Sequence, residues 1–413
     1  MNAEIISIGD ELLIGQVINT NASWIGELLN RNGIRVKQIK AIADDKTAII
    51  QAIDAAFLSA DTVLLTGGLG PTKDDITKHT LCEYFDTKLV FNEDAFLRIQ
   101  ALFRLRNYAV SPVHRAQADL PENCLALSNI NGTASGMWFE KNGKVLVSMP
   151  GVPFEMKPMM EKEVIPRLLN KFDTSVIIHK TIVTQGVGES FLAKKIEEWE
   201  DNLPANIKLA YLPQPGIVRL RLSAFGDDKK KCEQVIADLV LKLADLIGEY
   251  IFAYEDILLE EAVGKSLKEK NKTISTAESC TGGYIAHLIT SIAGSSAYYK
   301  GSAIVYSNEI KETILGISPE TIQREGAVSE SVVKQMASAA CKKFGTDFAI
   351  ATSGIAGPDG GTEEKPVGTT WIALADANGV YAQKFHFGEN RERNIRRAAL
   401  AALFMLKKRL DTE

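Results

Sequence analysis

Apolar positions along the chain fall into three successive patterns. Residues 3 to 8, AEIISI, form a short apolar run that stops at Gly9, and the segment from Leu12 to Leu29 then places apolar side chains at roughly helical spacing. A strand, a loop and a helix are predicted there. The pattern returns at 34 to 42, in IIQAIDAAFLSA at 49 to 60, and in TVLLT at 62 to 66, which runs into GGLGPT. Strands alternating with helices predict a parallel sheet covered on both faces. KVLVSM at 144 to 149 adds a strand, and PGVPFEM leads into a helical stretch that ends near Asn170. A first α/β domain over 1–170 follows.

From 175 to 250 the order is strand (VIIHKTIVTQG), helix (ESFLAKKIEEWE), two strands (IKLAYLPQPGIVRLRLSAFG) and helix (CEQVIADLVLKLADLIGE), which suits a small α+β module over 171–252. Gly186-Val187-Gly188-Glu189 could face a phosphate there, but a structural turn is the stronger reading. A second α/β domain over 253–413 opens with the amphipathic helix ILLEEAVGKSLKEK. It continues through the strands KTISTA, AIVYS (303 to 307), FAIATSG (348 to 354) and TTWIALA (369 to 375). The fold class is α/β, and no tandem repeat is present.

Composition narrows the function classes. The 413 residues are 46% hydrophobic and 24% charged, the balance of an ordinary globular protein of two or three units. A formal net charge of -5 disfavours general binding to a polyanion, and no nucleic-acid signature stands out. Cysteines 82, 124, 232, 280 and 341 are odd in number and never form C-x-x-C, so reduced thiols are expected and not a disulfide frame or zinc site. The five histidines lack metal spacing. The start, MNAEIISIGDELL, has no secretory pattern and no stretch suits a membrane span, so a cytoplasmic protein is expected.

The densest constellation is Ala277-Glu278-Ser279-Cys280-Thr281-Gly282-Gly283, between a strand and a helix. Such an elbow exposes a side chain at the sheet edge and aims free helix N–H groups at a forming anion. Ser279 is the candidate nucleophile. Thr281, Gly282 and Gly283 are candidate substrate contacts, because glycines permit close approach to the backbone. A serine needs a base, and His287 falls within the helix that follows. Lys311, just after AIVYS and the turn 307–309, suits the Ser-Lys pattern, with Tyr306 able to relay or orient the proton. On spacing alone a solvated lysine remains the commoner reading. Cys280 is a rival nucleophile, since a thiol at a helix start has a lowered pKa.

The stretches AESCTGG, IAGSSAYYKGSAIVYSNEIK, GAVSE and SGIAGPDGGTEEKPVGT resemble the bacterial PncC nicotinamide-nucleotide amidohydrolases over nearly all of 255 to 413. That resemblance implies Ser279 as nucleophile, Tyr306 as relay and Lys311 as base. The implied reaction takes nicotinamide mononucleotide to nicotinate mononucleotide and ammonia without a cofactor. For the substrate phosphate it points to Ser353, the backbone from Gly354 to Gly357, and Arg391. The segment GENRERN aligns only with a one-residue gap, so Arg396 and Arg397 stay in reserve.

In the first domain GGLGPTKDD follows a strand directly, offering a glycine loop for phosphates and hard oxygen ligands for a divalent cation. With GDELLIGQVINTN, NGTASG and PGVPFEM it resembles the MoaB/MogA molybdopterin-binding fold, a three-layer α/β domain. The whole arrangement, with a KH-like middle domain, is similar to the CinA competence/damage-inducible family. That similarity implies ADP-ribose pyrophosphatase activity with a divalent metal ion. Gly67, Gly68, Gly70 and Thr72 would contact the nucleotide, and Asp10, Asp74 and Asp75 the metal. A homodimer is the expected assembly. Two alternatives remain: a molybdopterin-type binding module in the first domain, or a non-enzymatic partner in DNA uptake or repair.

Overall fold

In the computed structural model, residues 1–413 are described apart from Pro71, Lys73, Asp74, Arg106 and Asn107. The first strands are β1 (Asn2–Ile8), β2 (Arg35–Ile42), β3 (Thr62–Thr66), β4 (Leu89–Phe91), β5 (Asp119–Pro121), β6 (Leu125–Leu127), β7 (Gly136–Lys141) and β8 (Lys144–Met149). One sheet runs β2-β1-β3-β8-β7-β6, and β4 pairs separately with β5. Successive side chains of a strand point to opposite faces. Thus β1 sends Ala3 and Ile5 into one core and Ile6 and Ile8 into another, and β8 divides Val145 and Val147 from Leu146 in the same way. The first core is closed by Ala22, Ile25 and Leu29 of the helix Thr20–Arg31. The second is closed by Ile49 and Ile53 of the helix Lys46–Ser59 and by Ala95 and Ile99 of the helix Glu93–Leu105. A sheet between two helical layers results.

The sheet is not parallel throughout, as the alternation of strands and helices predicts. β2, β1, β3 and β8 are parallel, but β7 runs antiparallel to β8 and β6 antiparallel to β7. The cause is local. Asn142 and Gly143, between β7 and β8, have φ of 53° and 77°, the left-handed pair that closes a tight hairpin.

The second part contains β9 (Val176–Gln185), β10 (Ile207–Gln214), β11 (Ile217–Gly226) and β12 (Ile251–Ala253), in the order β10-β11-β9-β12. It continues with β13 (Ile274–Glu278), β14 (Tyr299–Ile304), β15 (Phe348–Gly354), β16 (Thr369–Asp376) and β17 (Gly379–His386), in the order β14-β13-β15-β16-β17. By packing, the chain divides into two compact units: Met1–Ile178 with Ala224–Glu233, and His179–Ser223 with Gln234–Glu413. Val183, Ile217 and Phe252 of the smaller sheet share one core with the last 150 or so residues, as their contact with Leu259, Ile274 and Leu400 shows.

The final sheet has two unlike faces. Ile274, Phe348, Ile350, Ile372 and Leu374 meet Ala399, Leu403 and Leu406 of the helix Arg391–Thr412. The opposite face carries Ala277, Ala349, Ala351, Ala373 and Ala375, small enough for the helix Glu330–Phe344 to seat Val332, Val333 and Met336 against it. β13 lies parallel to β14 and β15, while β16 and β17 are antiparallel. The strand expected at 303 to 307 in fact spans Tyr299–Ile304. It ends there because Ser307 caps the next helix, its hydroxyl accepting from Ile310 N at 3.2 Å.

Candidate active site

The end of β13 holds the centre of the site. Glu278 is fully buried, and its carboxylate accepts from the amides of Gly283 (3.1 Å), Ile285 (3.0 Å) and Ala286 (2.9 Å) and from Thr281 Oγ1 (2.7 Å). The helix Tyr284–Thr290 therefore gives its free N–H groups to Glu278, not to a ligand as the elbow pattern suggests. Gly282 and Gly283 turn the chain with φ of 59° and 95°, and Thr281 Oγ1 also meets Thr352 Oγ1 at 2.8 Å. This clamp presents Ser279 at the strand end. The amides of Cys280 and Thr281, on the turn beside Ser279, have no main-chain acceptor among the described residues.

Lys311 is brought to Ser279 by the helix Asn308–Leu315. Its side chain is 1% exposed, and Nζ donates to Ser279 Oγ at 3.1 Å, Val305 O at 3.0 Å and Tyr306 O at 3.2 Å. No carboxylate pairs with it among the described residues. Burial lowers its pKa below the ordinary value. The solvated turn lysine suggested by spacing alone is thus not what the fold builds. Cys280, by contrast, is pushed up to about 12 by burial, the reverse of the shift expected for a thiol at a helix start. The helix donors that would stabilise a thiolate are spent on Glu278.

Tyr306 reaches this pair through its main-chain oxygen. Its hydroxyl accepts from Arg391 Nη2 at 3.1 Å, and Arg391 Nη1 donates to Gly357 O at 2.8 Å. The proton relay expected of the Tyr306 hydroxyl is therefore not formed in this arrangement. Ser353 is 1% exposed with its hydroxyl donating to Ala327 O at 2.7 Å, so it ties the end of β15 to the segment before the helix Glu330–Phe344 and spends its proton there. Gly354 packs so closely on Thr369 and Thr370 that an added Cβ would lie 2.6 Å from Thr370 Oγ1. Arg397 Nη1 is likewise bound, to Phe387 O at 2.8 Å; Arg391 differs in meeting Tyr306, whose main-chain oxygen accepts from Lys311. The His287 ring lies tilted beside Tyr284, 6.0 Å between centroids, and the side chain that meets Ser279 Oγ is Lys311.

In the first unit, Gly67, Gly68, Gly70 and Thr72 line a cavity of about 470 Å3 together with Glu11, Asp44, Asp75 and Glu155. Gly67 and Gly68 have φ of 115° and 64°, and a Cβ on Gly67 would lie 2.2 Å from Ile8 O. Asp75 Oδ2 accepts from both Thr72 N and Thr72 Oγ1, closing the loop on itself. Asp10 N donates to Asp44 Oδ2 at 3.1 Å. Asp44 is raised in pKa by burial and by the negative charges of Asp10, Glu11 and Asp75, against the Asp10 amide. Asp74 lies outside the described residues, and among those described no three His, Cys, Asp or Glu side chains converge on a point that could hold an ion. The described residues do not by themselves form a metal centre.

No helix among the described residues is long and apolar enough to cross a membrane. Residues 256–410 match the family described as CinA C-terminal domain, residues 4–170 that described as probable molybdopterin binding domain, and residues 179–253 that described as damage-inducible protein CinA KH domain. A CinA-like protein of Flavobacterium psychrophilum is 51% identical over 414 residues, covering 99% of each chain. Another, of Cytophaga hutchinsonii, is 47% identical and covers 99% of this chain and 98% of its own. The crystal structure of competence/damage inducible protein CihA from Agrobacterium tumefaciens is 39% identical, covering 37% of this chain and 93% of that one with a TM-score of 0.36. With full-length identity of this order to CinA-like proteins, the chain belongs to the CinA family.

Proposed function

We propose that the second unit hydrolyses the carboxamide of nicotinamide mononucleotide, releasing ammonia and nicotinate mononucleotide. The observation that carries this reading is the buried Lys311 Nζ 3.1 Å from Ser279 Oγ. A neutral amine has two N–H bonds and one lone pair. With both N–H bonds given to Val305 O and Tyr306 O, the contact in which the ammonium donates to Ser279 Oγ reverses, and the lone pair accepts from the Ser279 hydroxyl. Ser279 Oγ attacks the carboxamide carbon while its proton passes to Lys311, and the resulting oxyanion faces the amides of Cys280 and Thr281. Collapse breaks the C–N bond, and the proton on Lys311 leaves with ammonia. Water then attacks the acyl ester, giving its proton to Lys311, which returns it to Ser279 Oγ as the acid departs. In this reading Arg391, which meets Tyr306 and Gly357, takes the substrate phosphate. No cofactor enters this sequence. Ammonia release from nicotinamide mononucleotide tests it, and a purified chain that releases none contradicts it.

For the first unit we propose cleavage of ADP-ribose at its pyrophosphate with a divalent cation as cofactor. Its support is the cavity at the carboxyl end of β3, where the 67–70 loop offers backbone to a phosphate and acidic side chains line the wall. Release of AMP from ADP-ribose, suppressed by chelator and by Asp44→Ala, tests this second reading. Deamidation should continue in that variant.

A further inference from the structure

One wall residue of the first-unit cavity has hydrogen-bonding capacity that no described residue uses. Gln117 follows the short helix Pro112–Ala116, is 6% exposed and lines the cavity with Gly67, Gly68 and Asp44. Both Nε2 and Oε1 are shut off from solvent, and neither has a hydrogen-bond partner among the described residues. The main chain at this point is anchored, since Lys78 Nζ donates to Gln117 O at 3.5 Å and Asp119 O at 2.9 Å. A buried, unpaired donor and acceptor oppose folding. A methionine would fill similar space without that penalty, so packing does not account for a carboxamide here.

The carboxylates of the wall offer no donor. Asp75 Oδ2 is taken by Thr72, Glu155 Oε2 accepts from Asn129 Nδ2 at 2.7 Å, and Asp44 Oδ2 accepts from Asp10 N. When ionised these carboxylates only accept. A ligand with a donor and an acceptor side by side needs both from the protein, and the Gln117 carboxamide supplies both. The N6/N7 edge of adenine has that pattern, an amino donor next to a ring-nitrogen acceptor, and a glutamine amide matches it with two parallel hydrogen bonds. A volume of about 470 Å3 lies within the range of small-molecule sites.

We propose that Gln117 is the base-reading residue of this cavity, its side chain turning onto the edge of an adenine nucleotide. The inference rests on the ADP-ribose reading and adds to it the residue that selects the base. Adenosine and inosine, titrated into the full chain and followed by ligand-observed NMR, need neither cation nor turnover. On the N6/N7 edge that a glutamine amide reads, inosine replaces the amino donor with a carbonyl and forfeits one of the two bonds. Adenosine should bind the unaltered chain at least tenfold more tightly than inosine. Gln117→Met should lower adenosine affinity at least tenfold and erase the preference, while melting no lower than the parent because two unpaired polar atoms are gone.

Equal affinity for the two nucleosides, or adenosine binding unchanged in Gln117→Met, overturns the proposal. If Gln117→Met fails to fold, the adenosine-to-inosine ratio of the unaltered chain decides alone, and a ratio near one overturns it. ADP-ribose hydrolysis is assayed separately. Hydrolysis without an adenine preference sinks only the role of Gln117, whereas neither hydrolysis nor adenosine binding sinks the reading of the cavity as well.

Discussion

Lys311 Nζ stands 3.1 Å from Ser279 Oγ in a site where the lysine is 1% exposed and its remaining contacts are two backbone carbonyls. Charge is not what this geometry uses. Ser279→Ala should remove deamidation, and Lys311→Met should lower kcat by roughly 10²–10⁴-fold, the span for losing a positioned general base. Lys311→Arg should fail as well, because a guanidinium keeps its proton. Cys280→Ala should retain most activity, since a thiol pushed up to about 12 stays protonated at neutral pH. Steady-state ammonia release from the four variants checks the set, and an active Lys311→Arg contradicts it.

The lowered pKa of Lys311 gives two pH effects of known sign. Activity should rise with pH through the lysine's folded-state pKa, as the neutral amine becomes available. Between that value and the unfolded value near 10.5, the unfolded chain binds the proton that the folded chain does not. Stability therefore rises with pH across that window, is fully present above the unfolded value, and is lost as pH falls through the folded one. Unfolding midpoints of the parent and Lys311→Met, measured across this range, should shift in the parent's favour as pH rises. A gap independent of pH would mean that Lys311 titrates normally.

Glu278→Gln leaves the turn 279–283 without an acceptor able to hold three amides and a hydroxyl. Bonds to a charged group contribute about 1.5–3 kcal/mol each, and the variant should lose at least one such increment in denaturant unfolding. Deamidation should fall with it, because the same turn presents Ser279. A variant as stable as the parent would show that the helix amides find other acceptors.

Arg391→Met and Tyr306→Phe should separate binding from chemistry. The Tyr306 hydroxyl meets Arg391 and not the Ser279–Lys311 pair. Losing either side chain should raise KM for the mononucleotide more than it lowers kcat, Arg391→Met by about tenfold or more for a charge-assisted contact. A fall in kcat for Tyr306→Phe at unchanged KM would restore the hydroxyl as a proton relay.

Much of this arrangement is legible in the sequence, and the failures have physical causes. TVLLT and KVLVSM have the bounds of β3 and β8 because a strand buried on both faces is a continuous apolar run. The hairpin at Asn142-Gly143 departs from the strand–helix alternation, although Asn-Gly between apolar runs signals such a turn. β17 was missed because its pattern, with Gln383, Lys384 and His386, is that of a half-exposed edge. Ser279 is visible as an elbow. The depth of Lys311 is not, because tertiary packing and not local spacing buries it. The acidic Glu278 beside the serine hides its role for the same reason: only the folded turn reveals that it consumes the helix amides.

Trapping the acyl-enzyme tests the central claim most directly. The chain would be mixed with a slowly turned-over carboxamide analogue of nicotinamide mononucleotide, quenched in acid, and the adduct located by peptide fragmentation. An oxygen ester on Ser279, absent from Ser279→Ala and slow to form in Lys311→Met, is the predicted result. A thioester on Cys280, or ammonia released at full rate by Ser279→Ala, would contradict the account.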